Sequence, residues 1–318
     1  MTPQETVFVE AHARLHFGVL DLRSSTERWF GGLGAAAPAP TVLVSAAAAD
    51  TLEVHGDDEV RAAAFARRFL THYGIDRGAR IRVHRALPPH SGLGSGTQLA
   101  LAVARALAEL LGIEAPVTDL GHAVDRGKRS AVGMWTFAGP GLVVEGGRRR
   151  EGTVCGPLVA RLAFPATWRC VVAVPNGTSG LSGVDEVAAF DRLPPPRAGE
   201  PERVAHLVLM SLLPAVADGD IAGFGAALEE IQRITGEWFA PVQGGVFAPG
   251  PSEELIRRMR EAGATGVGQS SWGPAVYGVV EGDDQATRVA DRLRLVQTPA
   301  IDIFSGPFPA TGARIWHS

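Results

Sequence analysis

The sequence predicts an α+β fold, in which helices and sheets pack as layers without a regular alternation of strand and helix. Three observations support this class. The chain has 318 residues, which suits one large domain or two intimate half-domains. Hydrophobic residues make up 46% of the chain and charged residues 20%, so a sizeable core can be buried. Strand-like and helix-like segments follow one another in mixed order along the chain.

The first half of the chain begins with predicted strands. Alternating or β-branched patterns cover residues 7–18, 41–45, 51–55 and 79–84. Pro88 and Pro89 end the last of these, because proline has no N–H to donate to a neighbouring strand.

Two helices are predicted among these strands. An amphipathic segment at 58–73 is followed by Gly74, and an apolar segment at 98–111 is followed by Gly112. Glycine is the usual residue just past a helix end, so both glycines predict C-terminal caps. The second helix follows a glycine-rich loop at 90–97, which therefore lies at a helix N-terminus.

The second half combines several helices with a few strands. The proline-rich segment 192–201 is the best linker candidate. Strands are predicted at 168–174, 275–280 and 301–303, and helices at 204–217, 221–234, 252–262 and 285–295. Pro214 is expected to kink or end the first of these helices.

Charge and cysteine content limit the function classes. The net charge is −4, with no basic stripe of the kind that marks a nucleic-acid binder. Two cysteines, Cys155 and Cys170, do not form a disulfide framework, which favours a reducing cytoplasm. The polar, acidic residues 1–10 do not resemble a signal peptide, and the apolar run 99–107 is too short to span a bilayer. We therefore expect a cytoplasmic protein without nucleic-acid or membrane partners.

The glycine-rich loop is the strongest functional signal. Helix N-termini present unpaired N–H groups and partial positive charge, which phosphate oxygens accept. The loop offers three glycines, which let the backbone approach an anion, and three hydroxyl donors: Gly92, Gly94, Gly96, Ser91, Ser95 and Thr97. It is neither a Walker loop nor a Rossmann fingerprint. The alternative is a flexible turn between strand and helix.

Three other segments place charged residues beside glycine. Arg14 and His16 fall on one face of the first strand, where arginine can fork onto phosphate or carboxylate, or simply be exposed. The cluster 125–130 can hold an anion, or Asp125 can hold Mg²⁺, or it can be a solvated helix end. Asp185 and Glu186 offer Mg²⁺ ligands or a helix N-cap.

The loop and these segments resemble the GHMP superfamily, named for galactokinase, homoserine kinase, mevalonate kinase and phosphomevalonate kinase. Residues 89–96 are similar to its second motif, proline-x-x-x-glycine-leucine-x-serine-serine, with Gly96 in place of the second serine. The glycine-rich segment 266–273 would be its third motif. In that segment Trp272 either closes a pocket or covers a core.

A non-kinase branch, the β-ribofuranosylaminobenzene 5′-phosphate synthases, is the closer resemblance. Four segments carry it in order: 14–18, 94–101, 126–133 and 268–274. They span nearly the whole chain and are far more specific than one loop. The branch includes synthases of the C-nucleoside antibiotics formycin and pyrazofurin.

The resemblance implies a fold, a reaction and a cofactor. The fold would be that of the GHMP superfamily, with half-domains 1–165 and 166–318, usually in a homodimer. The family joins the ribose 5-phosphate of phosphoribosyl pyrophosphate to an aromatic ring carbon that bears a carboxylate. Carbon dioxide and pyrophosphate leave, and Mg²⁺ accompanies the pyrophosphate.

The resemblance also implies site residues. Arg14, His16 and Arg129 would orient phosphate or carboxylate, and Asp125, Asp185 and Glu186 are the candidate Mg²⁺ ligands. The candidate substrate-binding residues are Ser91, Gly92, Gly94, Ser95, Gly96, Thr97, Gln98, Ser130, Trp135, Gln269, Ser270, Ser271 and Trp272.

Two positions depart from the family pattern. Trp135 adds bulk, and Ala138 stands where an acidic residue is expected after the phenylalanine. If both line the acceptor pocket, they favour a pyrazole carboxylate over 4-aminobenzoate, because the tryptophan can stack on the ring and the missing carboxylate at position 138 spares a dicarboxylate from like-charge repulsion. The alternative is that Trp135 packs in the core. At the level of function, the rivals are a GHMP-type kinase that uses ATP and a non-catalytic phosphometabolite-binding protein.

Overall fold

The computed structural model describes residues 5–23, 26–152, 154–178, 180, 183–296 and 299–318, without the side chains of 183–185 and 187. These residues form two mainly antiparallel sheets that are covered by helices. The α+β prediction is confirmed.

The first sheet has eight strands and is built around one long hairpin. Its central path runs in the order β12-β1-β2-β4-β3, and β5, β6 and β7 extend it from β2. The strands are β1 (Thr6–Asp21), β2 (Arg28–Ala49), β3 (Glu53–Gly56), β4 (Gly78–Arg85), β5 (Leu142–Glu145), β6 (Arg148–Arg149), β7 (Leu158–Leu162) and β12 (Arg314–His317). The burial of β1 alternates residue by residue from Thr6 to Ala13, as its apolar pattern predicts.

Strand β2 is much longer than the 41–45 segment that its sequence pattern predicts. Its first half is rich in glycine and alanine, residues with weak strand preference. The small side chains are required by close packing, since a Cβ on Gly34 would lie 2.7 Å from the Val132 side chain. Tertiary packing thus overrides local propensity here.

Helices cover one face of this sheet. They are α1 (Glu59–Tyr73), α2 (Ser95–Leu111), α3 (Val117–Ala123) and α4 (Val132–Ala138). Gly74 and Gly112 cap α1 and α2 in the left-handed conformation, with φ of 63° and 66°, as predicted. Helix α2 packs against both β1 and β2, so its N-terminus is held firmly at the sheet.

The second sheet has four strands in the order β11-β8-β10-β9. They are β8 (Trp168–Pro175), β9 (Thr265–Gln269), β10 (Val276–Glu281) and β11 (Ile301–Pro307). The chain changes sheets between β7 and β8, and β12 later returns to pair with β1.

The second half also contains most of the remaining helices. They are α5 (Gly183–Arg192), α6 (Glu200–Leu207), α7 (Leu213–Asp218), α8 (Ile221–Gln243), α9 (Pro251–Glu261) and α10 (Gly282–Arg294). The proline-rich segment 192–201, the linker candidate, runs from the end of α5 to the start of α6 and so connects two helices. A π-helical turn, Val208–Leu212, directly precedes α7, whose second residue is Pro214, where a kink or end is expected. Within the described ranges, no helix is long and apolar enough to cross a membrane.

Candidate functional site

The glycine-rich loop is fixed by backbone hydrogen bonds from three separate segments. The carbonyl of Leu93 accepts from the N–H of Arg14 at 2.9 Å, and that of Ser91 accepts from Ala275 at 3.0 Å. The carbonyl of His90 accepts from Gly180 at 2.7 Å. The loop is therefore held by both halves of the chain, and the alternative of a merely flexible turn does not fit these bonds.

Two glycines of the loop have backbone conformations that other residues adopt at a cost. The φ angles of Gly92 and Gly94 are 82° and 73°, both in the left-handed region. A Cβ on Gly92 would lie 2.3 Å from the carbonyl oxygen of Ser270. The turn and its packing therefore both require glycine at position 92.

A cavity, here called the loop cavity, opens where the loop meets the N-terminus of α2. The loop and three arginines surround it, and its lining residues are Arg14, Arg61, His90, Ser91, Gly92, Gly94, Ser95, Gly96, Thr97, Arg126, Glu186 and Ser271. Among the described residues, the buried Nε atoms of Arg14 and Arg126 have no hydrogen-bond partner. Unpaired buried guanidinium donors beside a helix N-terminus are suited to an anion.

Burial lowers the pKa of two of these arginines, and both stay positively charged at neutral pH. Desolvation lowers the pKa of Arg14 to about 10, while the nearby Glu186 carboxylate partly offsets this. Desolvation, together with Arg68 and Arg61, lowers the pKa of Arg126. A bound anion would compensate these buried positive charges.

A second cavity, here called the aromatic cavity, adjoins the first. Its aromatic lining residues are Phe30, Phe190, Phe239 and Trp272. The indole of Trp272 meets Phe239 and Phe190 edge to face, with ring centroids 4.8 and 5.6 Å apart. Polar side chains that also line this cavity include His16, Ser130, Gln232, Gln243 and Gln269. Flat apolar walls with a few polar groups suit a small aromatic ligand.

Three residues line both cavities: Arg14, Glu186 and Ser271. Arg129 donates to Glu186 at 2.8 Å, and its guanidinium lies 4.9 Å from the ring centroid of Phe190. The other terminal nitrogen of Arg129, Nη1, is buried without a partner among the described residues. The junction, the region where the two cavities meet, thus places the guanidinium groups of Arg14 and Arg129 near the Glu186 carboxylate.

His16 lies on the wall of the aromatic cavity and is buried. Its Nε2 is 3.2 Å from the hydroxyl oxygen of Ser130. Burial, with a smaller contribution from Arg14, lowers the pKa of His16 to about 3. The ring is therefore neutral at physiological pH and can accept or donate a hydrogen bond but not supply a charge.

Known proteins align with this chain over most of its length. The chain is 33% identical to the β-ribofuranosylphenol 5′-phosphate synthase of Methanothermobacter thermautotrophicus, over 94% of this chain and 96% of that protein. The chain belongs to the β-ribofuranosylphenol 5′-phosphate synthase family. The synthase of the same name from Archaeoglobus fulgidus is also 33% identical, over 85% of this chain and 86% of that protein.

The chain also matches two wider family models and resembles a solved structure. GHMP kinases N terminal domain matches residues 60–137, and GHMP kinases C terminal matches residues 212–296. A crystal structure of homoserine kinase from Cytophaga hutchinsonii superposes with a TM-score of 0.72 at 18% identity, covering 99% of both chains. The predicted GHMP-superfamily fold is thereby confirmed.

Many of the residues predicted for the site do come together. Those that line one or both cavities are Arg14, His16, Ser91, Gly92, Gly94, Ser95, Gly96, Thr97, Arg129, Ser130, Glu186, Gln269, Ser271 and Trp272. Ser270 and Gln98 instead support the walls. Gln98 is fully buried and donates to the carbonyl of Gly133 at 2.9 Å, which anchors α2 against α4.

Trp135 and Ala138 lie elsewhere, which corrects the expectation that they shape the acceptor pocket. Neither lines either cavity as the structure describes it. The indole N–H of Trp135 donates to the carbonyl of Gly156 at 2.9 Å, and the side chain packs against the core. Ala138 is exposed at the end of α4. The preference for a heteroaromatic acid therefore loses its support from these two positions.

Of the two predicted Mg²⁺ ligands whose side chains the structure describes, Glu186 lines both cavities and Asp125 lines neither. Asp125 pairs with Lys128 outside both cavities, and this ammonium lowers the pKa of Asp125. The side chain of Asp185 lies outside the described residues. Among the residues that the structure describes, no three His, Cys, Asp or Glu side chains are grouped to hold a metal. Of the predicted ligands with described side chains, only Glu186 lies where the two cavities meet.

Sequence reasoning missed several residues of the site. Phe190 and Phe239 are ordinary apolar positions of helices, and Arg61 is one of many arginines, so no local pattern distinguishes them. The sequence does contain a signal for Glu145, which is a lone charged residue at the end of an apolar strand and is followed by two glycines. Buried carboxylates in such positions need specific partners.

Proposed function

We propose that this protein transfers the ribose 5-phosphate moiety of phosphoribosyl pyrophosphate to a ring carbon of an aromatic carboxylic acid, with release of carbon dioxide and pyrophosphate. The observation that carries this proposal is the pair of adjoining cavities. One is cationic and ends at a helix N-terminus, the other is walled by aromatic rings, and they share Arg14, Glu186 and Ser271. A reaction between a phosphorylated donor and an aromatic acceptor needs such a pair.

The donor would place its pyrophosphate in the loop cavity. Backbone N–H groups at the start of α2 and the guanidinium groups of Arg14 and Arg126 would bind the phosphate oxygens. Negative charge grows on these oxygens as the bond to the sugar breaks. Donors that are already in place stabilise that charge without reorganising.

The site offers one described carboxylate that would contact Mg²⁺. In phosphate sites this ion is usually held by one or two carboxylates plus the substrate's phosphates. Glu186, which lines both cavities, is the carboxylate that would contact it, provided that its ion pair with Arg129 opens. When bound, the ion would neutralise charge on the leaving pyrophosphate.

The acceptor would lie in the aromatic cavity with its ring against Phe190, Phe239 and Trp272. The unpaired nitrogen of Arg129 is the group best placed to receive the acceptor's carboxylate. The archaeal relatives are named for a ribosylated phenol. We therefore propose a hydroxy- or aminobenzoate as acceptor, with a pyrazole carboxylate as the other acceptor to be tested.

The reaction needs no strong general base, in keeping with the neutral His16. The bond from the anomeric carbon to pyrophosphate breaks, and its electron pair leaves with pyrophosphate. The ring carbon that bears the carboxylate forms the new carbon–carbon bond. The bond to the carboxylate then breaks, its electron pair restores aromaticity, and carbon dioxide leaves. The protein contributes binding, orientation and stabilisation of the departing charge.

The decisive experiment incubates the protein with phosphoribosyl pyrophosphate, Mg²⁺ and one acid at a time: 4-hydroxybenzoate, 4-aminobenzoate or a pyrazole carboxylate. Each acid carries a labelled carboxylate, and released carbon dioxide and pyrophosphate are measured together. We expect equal amounts of the two products with at least one acid. A parallel reaction supplies ATP and small alcohols. Phosphoryl transfer from ATP without pyrophosphate release would contradict the proposal and favour a kinase.

A further inference from the structure

Glu186 is the one carboxylate among the described residues that line the two cavities. The arginines that line one or both of them are Arg14, Arg61, Arg126 and Arg129. Arg61 is already paired with Asp58, which lines neither cavity. Of the described lining residues, only Glu186 therefore carries a negative charge that can balance the other three arginines.

The Glu186 carboxylate lies among these three guanidinium groups without satisfying them. It accepts a hydrogen bond from Nη2 of Arg129 at 2.8 Å. Desolvation lowers the pKa values of Arg14 and Arg126, and the charge of Glu186 opposes both shifts. Three buried nitrogens still have no partner among the described residues: Nε of Arg14, Nε of Arg126 and Nη1 of Arg129. An anion with more oxygens than a carboxylate would satisfy more of these donors.

We propose that Glu186 is a built-in counter-anion, which occupies the anion site between the two cavities until a phosphate group of the substrate displaces it. Its side chain is 25% exposed, so the displaced carboxylate can turn towards solvent and need not be buried without a partner. The Arg129 guanidinium lies 4.9 Å from the ring centroid of Phe190, which follows Glu186 by one turn of α5. This contact would hold Arg129 in place when the ion pair opens. That the phosphate belongs to phosphoribosyl pyrophosphate rests on the proposed function.

Displacement of Glu186 would also prepare the aromatic cavity. Nη2 of Arg129, which now donates to Glu186, would become free beside the unpaired Nη1. Arginine binds a carboxylate most strongly through two parallel hydrogen bonds. A phosphate bound in the loop cavity would therefore leave both terminal nitrogens of Arg129 to the carboxylate of an acceptor.

Two other roles of Glu186 predict a different effect of Glu186→Gln on anion binding in the absence of metal. If the ion pair with Arg129 only holds α5 in place, its loss should weaken binding. If Glu186 acts only as a Mg²⁺ ligand, metal-free binding should not change. A counter-anion both competes with the incoming anion and repels it, so removal of its charge should strengthen metal-free binding.

The test is calorimetric titration of the whole protein with inorganic pyrophosphate, in a low-salt buffer freed of metal ions on a chelating resin. Glu186→Gln should bind pyrophosphate about tenfold more tightly than the wild type, because one nearby negative charge is gone. Glu109→Gln is the matched control. Glu109 pairs with Arg105 at 3.2 Å, is similarly exposed at 32%, and lies near the far end of α2 outside both cavities. Its substitution should leave the affinity unchanged.

Thermal melts establish that the variants are folded, and Glu186→Ala provides the same test if the glutamine variant is not. Unchanged or weaker metal-free affinity in a folded Glu186 variant, or no binding of pyrophosphate by any of the proteins, would overturn the proposal. The same titration with Mg²⁺ separately tests the metal contact proposed for Glu186, whose loss should weaken binding. The metal-free result does not depend on turnover. Tighter binding by Glu186→Gln together with a failed synthase assay would contradict the proposed function and support the counter-anion.

Discussion

The hydroxyl of Ser270 donates to the carbonyl of Gly92 at 2.7 Å and also accepts from the backbone N–H of His16 at 2.9 Å. One fully buried side chain therefore ties the glycine-rich loop to β1. In Ser270→Ala both backbone groups lose this partner, which costs about 1–3 kcal/mol when such groups stay buried. We expect a lower free energy of unfolding and weaker binding of phosphoribosyl pyrophosphate, seen as a raised KM.

The matched control is Ser45→Ala. Its hydroxyl is also buried and lies 2.8 Å from Nε2 of His84, but Ser45 does not line the loop cavity. Chemical denaturation and donor kinetics are measured on both variants. A raised donor KM should occur only in Ser270→Ala. Equal kinetic changes in the two variants would mean that the effect is one of general stability.

Gly94→Val should abolish donor binding in a folded protein. A Cβ at this position would lie 3.3 Å from that of Arg14, and two further methyl groups would enter the loop cavity. Gly112→Val is a matched control at the other end of α2, because its φ of 66° imposes similar strain and nothing lies within 4 Å of its added Cβ. Calorimetric donor affinity and thermal melts separate the two effects. Unchanged affinity in folded Gly94→Val would show that the loop does not bind the donor.

Arg14→Lys should impair the reaction although the charge is kept. Lysine cannot reproduce two parallel hydrogen bonds to one anion, and it lacks the Nε donor that is buried here without a partner among the described residues. Loss of one charged hydrogen bond costs about 1.5–3 kcal/mol, or roughly ten- to a hundredfold in kcat/KM. Arg105→Lys, on the far part of α2, is the control. Wild-type kinetics in Arg14→Lys would make Arg14 a bystander.

The elements with a regular apolar pattern could be predicted from the sequence. Helix α1 is observed at Glu59–Tyr73 against a prediction of 58–73, since its periodicity and capping glycine are both local signals. The first half of β2 could not, because its small residues are explained only by the helix and strand that pack against them. The sequence therefore predicts an element whose residue pattern follows from its own periodicity and caps. It does not predict an element whose residues are explained by the neighbours that pack against it.

The candidate site divides in the same way. The loop has a local signal in its glycine spacing, whereas strand alternation alone leaves Arg14 exposed and only the family resemblance implies its place in the site; both line the loop cavity. The ring cluster around Trp272 could not, since Phe190 and Phe239 approach it from helices far along the chain. Trp135 shows the opposite error. A bulky aromatic residue near a predicted site indicates a pocket no better than it indicates core packing, and here it packs against the core.

Glu145 should make stability fall as the pH rises towards neutrality. Burial raises its pKa from 4.5 to about 7. Between pH 4.5 and about 7 the folded protein keeps a proton on Glu145 that the unfolded chain has released. The free energy of unfolding therefore declines by about 3 kcal/mol across this range, and Glu145 causes no further decline above it. Denaturant unfolding across this range should show the decline in wild type and in the surface variant Glu53→Gln. Glu145→Gln should lack it, and an unchanged slope there would exclude a raised pKa.

Phe239→Leu should weaken acceptor binding and leave donor binding unchanged. The ring of Phe239 lines the aromatic cavity and meets Trp272 edge to face, whereas the loop cavity does not include it. Ring–ring contacts contribute about 0.5–1.5 kcal/mol beyond area burial, so the acceptor KM should rise about two- to tenfold. Ala138→Glu is the control: at its exposed position the new carboxylate should leave the preference among the three test acids unchanged, as judged by their catalytic efficiencies. If Ala138→Glu alters that preference and Phe239→Leu does not, the acceptor binds outside the aromatic cavity.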